Sequence, residues 1–319
     1  MLRRITIFVA VLFIGVSAFS QTIGEAGEKY NEGNEKYSAK AYAEAVTAFE
    51  EALSNCIAVG PEADDLKGNV QKQLNNAYYK NGLSLYKKKQ FDEAISFMTK
   101  SLVLSEELGD DSKKAKNINY IAKIHSTKGT SLVKAKDLDG AMAEFDKAHE
   151  IKPTCVNAFY GKGLVYKTKG DMTLMMENVD LAIENGAGNA KADKTVAKSK
   201  KLASKALFKA GATEITKEHG KQAAEYLNAS LKYAPGTFNT YYYLTIANNK
   251  AKAFSAAIEA SNKALELAEG DKSDVYFEIG QAQEGLGDSA AACEAYKKVS
   301  GGNNIETAKY KITTELKCG

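Results

Sequence analysis

The chain has 319 residues, enough for one large domain, two ordinary ones or a repeat array. Charged residues make up 26% and hydrophobic residues 44%, an ordinary globular balance that excludes global disorder. Lys+Arg number 43 against 40 Asp+Glu, and the resulting formal charge of +3 gives no electrostatic reason to expect nucleic acid as a partner.

Taken in chain order, the first element is a leader. Met1 to Arg4 carries two arginines, and Ile5 to Phe19 is an uncharged, nearly unbroken apolar run. Ala18-Phe19-Ser20 then places small residues one and three positions before Gln21. This is the three-part layout of a secretory signal peptide, expected over residues 1–20, and the apolar run is short of the roughly 20 residues that span a bilayer. Removing it takes away two arginines and no acids. The expected destination is the periplasm or outer envelope of a Gram-negative bacterium. With only three prolines and no tryptophan in a chain rich in Ala, Lys, Glu and Leu, the remainder is expected to be helical.

One frame recurs seven times after the leader. It starts from Gly33, Gly82, Gly129, Gly163, Gly211, Thr245 and Gly280. Nine residues on stands an apolar residue in most copies, such as Tyr42, Phe91, Leu138 and Phe254. Twelve on stands Ala (Ala45, Ala94, Ala141, Ala223, Ala257, Ala292; Met175 in the fourth copy), and sixteen on a bulky apolar residue such as Phe49, Met98, Phe145 or Tyr296. Small residues at fixed offsets let two helices cross closely while bulky ones fill the gaps beside them, so the frame encodes a helix hairpin. The small residue is replaced in copies four and six by Met175 and Thr245, which predicts looser packing there. Three of the intervals between copies carry 13 to 15 residues more than the rest, about four helical turns. The expected use is two turns added to one helix and two to the next. Beyond Gly301-Gly302, Ile305, Ala308, Ile312 and Leu316 fall at helical spacing.

This frame resembles the tetratricopeptide repeat (TPR), although the family's favoured Trp is replaced by Lys29, Tyr78, His125, Phe159, Leu207, Tyr241 and Tyr276. The resemblance implies an all-α, right-handed α-α superhelix, a TPR solenoid of about seven helix hairpins plus a C-terminal capping helix. The expected array covers 21–302, with hairpins near 24–56, 70–106, 117–153, 156–186, 193–235, 238–269 and 273–300, and the cap covers 303–319. An array needs such a cap over its last apolar face.

In this family the first helix of each pair lines the concave face. Three residues before each frame residue stand Tyr30, Tyr79, Ser126, Tyr160, Phe208, Tyr242 and Phe277, and four after stand Tyr37 and Tyr86. The two offsets lie seven apart and share a helix face. The expected partner-binding set is therefore Tyr30, Tyr37, Tyr79, Tyr86, Tyr160, Phe208, Tyr242 and Phe277, with core packing of the same rings as the competing reading. Tyr or Phe mostly occupies the positions of the Lys with which some family members clamp a peptide carboxylate, and only Asn34 matches that clamp. A second feature is basic. Lys191, Lys194, Lys198, Lys201, Lys205 and Lys209 recur at three- and four-residue spacing and fall within roughly an 80° arc of one helix. It reads as a solvated face or as a docking stripe for an acidic partner or anionic envelope surface.

Catalytic and metal-binding patterns are not present in the sequence. His125, His149 and His219 have no thiol or carboxylate at ligand spacing, and Asp137-Leu138-Asp139-Gly140 opens like a calcium loop without its later ligands. No phosphate loop or nucleophile elbow is found. Cys56, Cys155, Cys293 and Cys318 have no paired spacing, so four unpaired, buried thiols are expected, Cys293 and Cys318 being the pair nearest in sequence. The expected function is a non-enzymatic, cofactor-free scaffold for a protein or peptide partner, with glycan binding as the alternative and no transmembrane segment after cleavage.

Overall fold

The computed structural model describes residues 22–318, and the expected signal peptide at 1–20 lies outside them. Among the described residues all regular structure is helical. The chain divides into two compact units, up to Ile124 and from His125. The first holds α1 (Ile23–Ser38), α2 (Tyr42–Val59), α3 (Asp64–Lys87), α4 (Phe91–Glu107) and the first part of α5 (Asp111–Lys134). The second holds the rest of α5, α6 (Leu138–Ile151), α7 (Val156–Lys169), α8 (Met172–Gly186), α9 (Asp193–Thr216) and α10 (Gly220–Leu231). It continues with α11 (Phe238–Lys250), α12 (Phe254–Leu267), α13 (Ser273–Leu286), α14 (Ser289–Lys297) and α15 (Ile305–Tyr310), which runs into a π-helical segment at Lys311–Glu315.

The first described residue already caps a helix. Thr22 Oγ1 accepts from the Glu25 backbone N–H at 3.2 Å while Glu25 Oε2 accepts from the Thr22 N–H at 3.0 Å, a reciprocal capping box. Within the hairpins the recurring frame is a packing rule. The bulky side chain sixteen residues on lies against the frame glycine of the partner helix: a Cβ on Gly33 would stand 2.5 Å from Phe49 Cδ1, and one on Gly211 2.6 Å from Leu227 Cγ. The alanines at the twelfth position are fully buried in all six copies that have them. The crossing in copy four is looser than in the glycine–alanine copies: a Cβ on Gly163 would stand 3.5 Å from Val179 Cγ2, an ordinary contact and not a clash. Met175 and Thr245 are both fully buried, and the Thr245 hydroxyl donates to the Tyr241 carbonyl at 2.9 Å.

The frame also fixes the turns. Seven residues past each frame residue the backbone is left-handed: Lys40, Lys89, Lys136, Gly170, Glu218, Lys252 and Gly287, with φ between 58° and 83°. Five of these seven carry a Cβ, a strained choice that the closing backbone bonds hold in place, such as Ala41 N–H to Lys36 O at 2.9 Å.

The added length goes mainly into first helices. α3, α5 and α9 each have 24 residues, against 13 to 16 for α1, α7, α11 and α13, while α2 and α4 reach only 18 and 17. The split is nearer three turns to one than the equal share expected. The extensions are buried: Val70 and Leu74 of α3 join Cys56 and Ala63 in one core. Beside them lies a buried polar layer. Asn75 Oδ1 accepts from Ser101 Oγ at 2.6 Å, Asn75 Nδ2 donates to Ser105 Oγ at 3.0 Å, and Asn117 Nδ2 donates to Ser101 Oγ at 2.9 Å. Such a layer fixes one register of α3, α4 and α5.

At the C-terminal end Phe277, Ala292, Tyr296 and Ala308 form one core with Val299, Ile312 and Leu316 against it. The segment from Ile305 therefore covers the apolar face of the last hairpin. It is fastened covalently: Cys293 of α14 and Cys318 form a disulfide, Cα atoms 5.7 Å apart. This corrects the expectation of four free thiols. The 25-residue separation hides the pairing, because the chain turns back across α14 only in the fold. Cys56 and Cys155 are free and buried.

Candidate functional site

Seven of the eight expected groove rings are half-buried, and Phe277 is not available to a partner. Phe277 is 6% exposed, its ring 5.6 Å from that of Tyr296, and it belongs to the core beneath the C-terminal segment. This corrects its place in the binding set; the cap that closes the array also closes over its last ring.

In the first unit, Tyr30 tilts against Phe49 at 5.9 Å and Tyr37 meets Tyr42 edge-on at 5.5 Å. Tyr79 meets Tyr120 edge-on at 5.8 Å, and burial pushes the Tyr79 hydroxyl up to about 12, with Tyr120 adding to the effect. Tyr86 packs on Phe91, and the Lys123 ammonium stands over both Tyr86 and Tyr120, at 5.6 and 5.5 Å. In the second unit Phe208 meets Tyr243 edge-on at 5.4 Å. Tyr242 stacks on Phe238 at 5.8 Å and 7° between planes, an i, i+4 pair on α11. Burial, then Asp274 and Glu278, push the Tyr242 hydroxyl up to about 12. Six of the seven half-buried rings thus pack against another ring, and Tyr160 lines a cleft instead. The partner rings Tyr120, Phe238 and Tyr243 were not in the sequence-derived set, although Phe238 is signalled by its spacing to Tyr242.

The lysines fall where helical spacing puts them, with one exception. Lys194, Lys198, Lys201, Lys205 and Lys209 are exposed along α9, whose other side buries Ala203, Ala206 and Leu207. Lys191 is not on the helix. It lies in the turn before α9, its N–H donating to Asn189 Oδ1 at 3.1 Å.

Rings and lysines come together in two clefts. One, of about 330 Å3, is lined by Tyr160 and Lys167 of α7 and by Lys198, Lys201, Leu202, Lys205, Ala206 and Lys209 of α9. No carboxylate lines it, and among the described residues none of its five lysines is in an ion pair. The second, of about 430 Å3, shares Lys205 and is formed by Ser204 and Phe208 with Leu231, Ala234, Pro235 and the polar residues Ser230, Thr237, Asn239 and Thr240. A cleft lined by five lysines thus adjoins one with a single lysine and an apolar wall of Phe208, Leu231, Ala234 and Pro235.

The histidines are structural. His125 Nδ1 lies 2.6 Å from Glu144 Oε2 in the interior, His149 meets Phe159 edge-on, and the exposed His219 bonds Glu214 at 2.7 Å. Asp137 caps α6 by accepting from the Gly140 N–H at 2.9 Å, which accounts for the calcium-like opening. Among the described residues no group of three or more His, Cys, Asp or Glu is placed to hold a metal ion, and no helix is long and apolar enough to cross a membrane.

Tandem hairpins with small residues at their crossings and half-buried rings on their first helices define an α-helical repeat protein. The tetratricopeptide-repeat family model matches α13 and α14, over residues 273–300, and the other six hairpins share the frame of that one. Residues 273–300 are thus a tetratricopeptide repeat, and the rest of the array is similar to it in frame. Solved structures similar to it include a tetratricopeptide-repeat protein of Parabacteroides merdae, 14% identical over 93% of this chain and 100% of that one, with a TM-score of 0.29. The tetratricopeptide-repeat domain of P58(IPK) is 15% identical over 92% of this chain and 97% of its own, with a TM-score of 0.34. The TPR2AB domain of yeast Sti1, solved as a pHSP90 complex, is 19% identical over 92% of this chain and 96% of its own, with a TM-score of 0.33.

Proposed function

We propose that this chain is an exported scaffold that holds a protein or peptide partner against the first-helix faces of its hairpins, in the periplasm or outer envelope of a Gram-negative bacterium. The observation that carries the reading is the pair of adjoining clefts on α7, α9 and α11, where half-buried rings and unpaired lysines stand together on a preformed surface. Helical repeats present such surfaces without ordering cost, and aromatic rings give large contact area at low entropy. Two observations support export: the leader-like composition of residues 1–20, and the Cys293–Cys318 disulfide, a bond that persists in oxidising compartments.

A peptide fits better than a glycan. Sugar stacking needs a free ring face with hydrogen-bonding groups beside it, whereas Tyr79, Phe208 and Tyr242 each have another ring against them and Phe208 opens onto Leu231, Ala234 and Pro235. The test is capture of envelope proteins by the mature chain and by Y79A/Y160A/Y242A, once circular dichroism shows the variant folded. Loss of a specific captured protein from the folded variant supports the scaffold reading; equal capture by both places the site elsewhere.

A further inference from the structure

The two clefts differ in chemistry, and the difference describes what they hold. The one between α7 and α9 presents five ammonium groups and no carboxylate, over a floor of Tyr160, Leu202 and Ala206. The feature that sets this cleft apart is the gathering of five lysines around one concavity with no carboxylate in its lining. From Lys198 to Lys209 the α9 lysines span about 16 Å at 1.5 Å per residue, the length of roughly five residues of extended chain. The adjoining cleft begins at the shared Lys205 and is walled by Phe208, Leu231 and Pro235.

Resting on the scaffold reading, we infer that the occupant of these clefts is a peptide segment in which about four or five consecutive acidic residues are followed or preceded by a bulky apolar side chain. The carboxylates lie along Lys198, Lys201, Lys205, Lys209 and Lys167, and the apolar side chain enters the Phe208 cleft. Charge complementarity selects the acidic stretch. The concavity selects a peptide over an anionic membrane: a flat surface meets lysines at the rim but not Tyr160 and Leu202 at the floor. It would use Lys191 and Lys194 as readily as Lys201 and Lys205, yet the first two line neither cleft.

The test is fluorescence anisotropy of a labelled peptide of five glutamates followed by phenylalanine, added to the full mature chain and to two charge-matched double variants, K201E/K205E and K191E/K194E. All four positions are exposed, and circular dichroism confirms that the variants fold. The expected result is saturable binding by the parent, weakened at least tenfold by K201E/K205E and less than threefold by K191E/K194E. Replacing the peptide's phenylalanine by alanine, or Phe208→Ala in the protein, weakens binding several-fold, and binding falls as salt is raised. Equal losses in the two double variants would reduce the stripe to diffuse charge and overturn the proposal. So would binding to anionic phosphatidylglycerol vesicles that the peptide does not compete away, or no binding of the peptide by the parent. If the peptide fails while envelope proteins are still captured through the rings, the acidic-segment inference falls and the scaffold reading stands.

Discussion

A Cβ placed on Gly280 would run into Cε1 of Tyr296, so the largest fully buried side chain among the described residues sits where only glycine leaves room. The same relation, sixteen residues apart, recurs from Gly33 to Phe49 and from Gly211 to Leu227. G280A is expected to cost about 1–3 kcal/mol through overpacking, despite the better helix propensity of alanine. Gly27 in α1 has nothing within 4 Å of its would-be Cβ, and G27A is expected to gain up to about 1 kcal/mol. Urea titrations of both variants measure the opposite signs.

The frame was legible because it is a volume relation between positions in neighbouring helices, and volume is written in residue type. The turn conformation was not: lysine at Lys40, Lys89 and Lys252 says nothing of a left-handed backbone, which the closing hydrogen bonds impose. Nor was the exposure of the rings. Phe208 and Phe277 occupy equivalent frame positions, and only the C-terminal segment, packed on one of them, makes it core. The lysine spacing gave the α9 face but not the cleft, because Lys167 and Tyr160 come from another hairpin.

Phe277 and Phe208 are therefore expected to separate stability from binding. F277A opens a cavity under the cap and is expected to cost about 3–5 kcal/mol. F208A removes a half-buried ring and is expected to cost no more than about 1–2 kcal/mol while weakening partner capture. Thermal melts and capture assays on the two variants make the comparison.

The Cys293–Cys318 bond closes a 25-residue separation over the last hairpin. Cross-linking over such a loop is worth about 3 kcal/mol. Reduction, or C318S, is expected to lower the melting temperature and to speed hydrogen exchange in 305–316 and at Tyr296, leaving α1 to α4 unchanged. Exchange measured by mass spectrometry with and without reductant reads this directly.

Burial alone would raise the Glu144 carboxyl, but hydrogen bonds from His125 and Lys147, with the charges of His125 and Lys128, hold it below the usual carboxylate range. Its contribution to stability is therefore complete above the ordinary carboxylate pKa of about 4.3 and is lost as pH falls through the lower folded value. E144Q is expected to cost about 3 kcal/mol at neutral pH by taking the carboxylate partner from His125 in the interior. That difference from the parent is expected to shrink in the acid limb below pH about 4.3, as denaturation measured across pH for both proteins would show.

The central claim is that a partner sits against the rings of the first helices. A photoreactive phenylalanine analogue placed at Phe208, and separately at the exposed Ile57 and Leu286 outside the clefts, would test it in cells of the source organism. The account predicts one discrete cross-linked protein from position 208 and none from 57 or 286. The same adducts from all three positions, or adducts from 57 and 286 with none from 208, would contradict it.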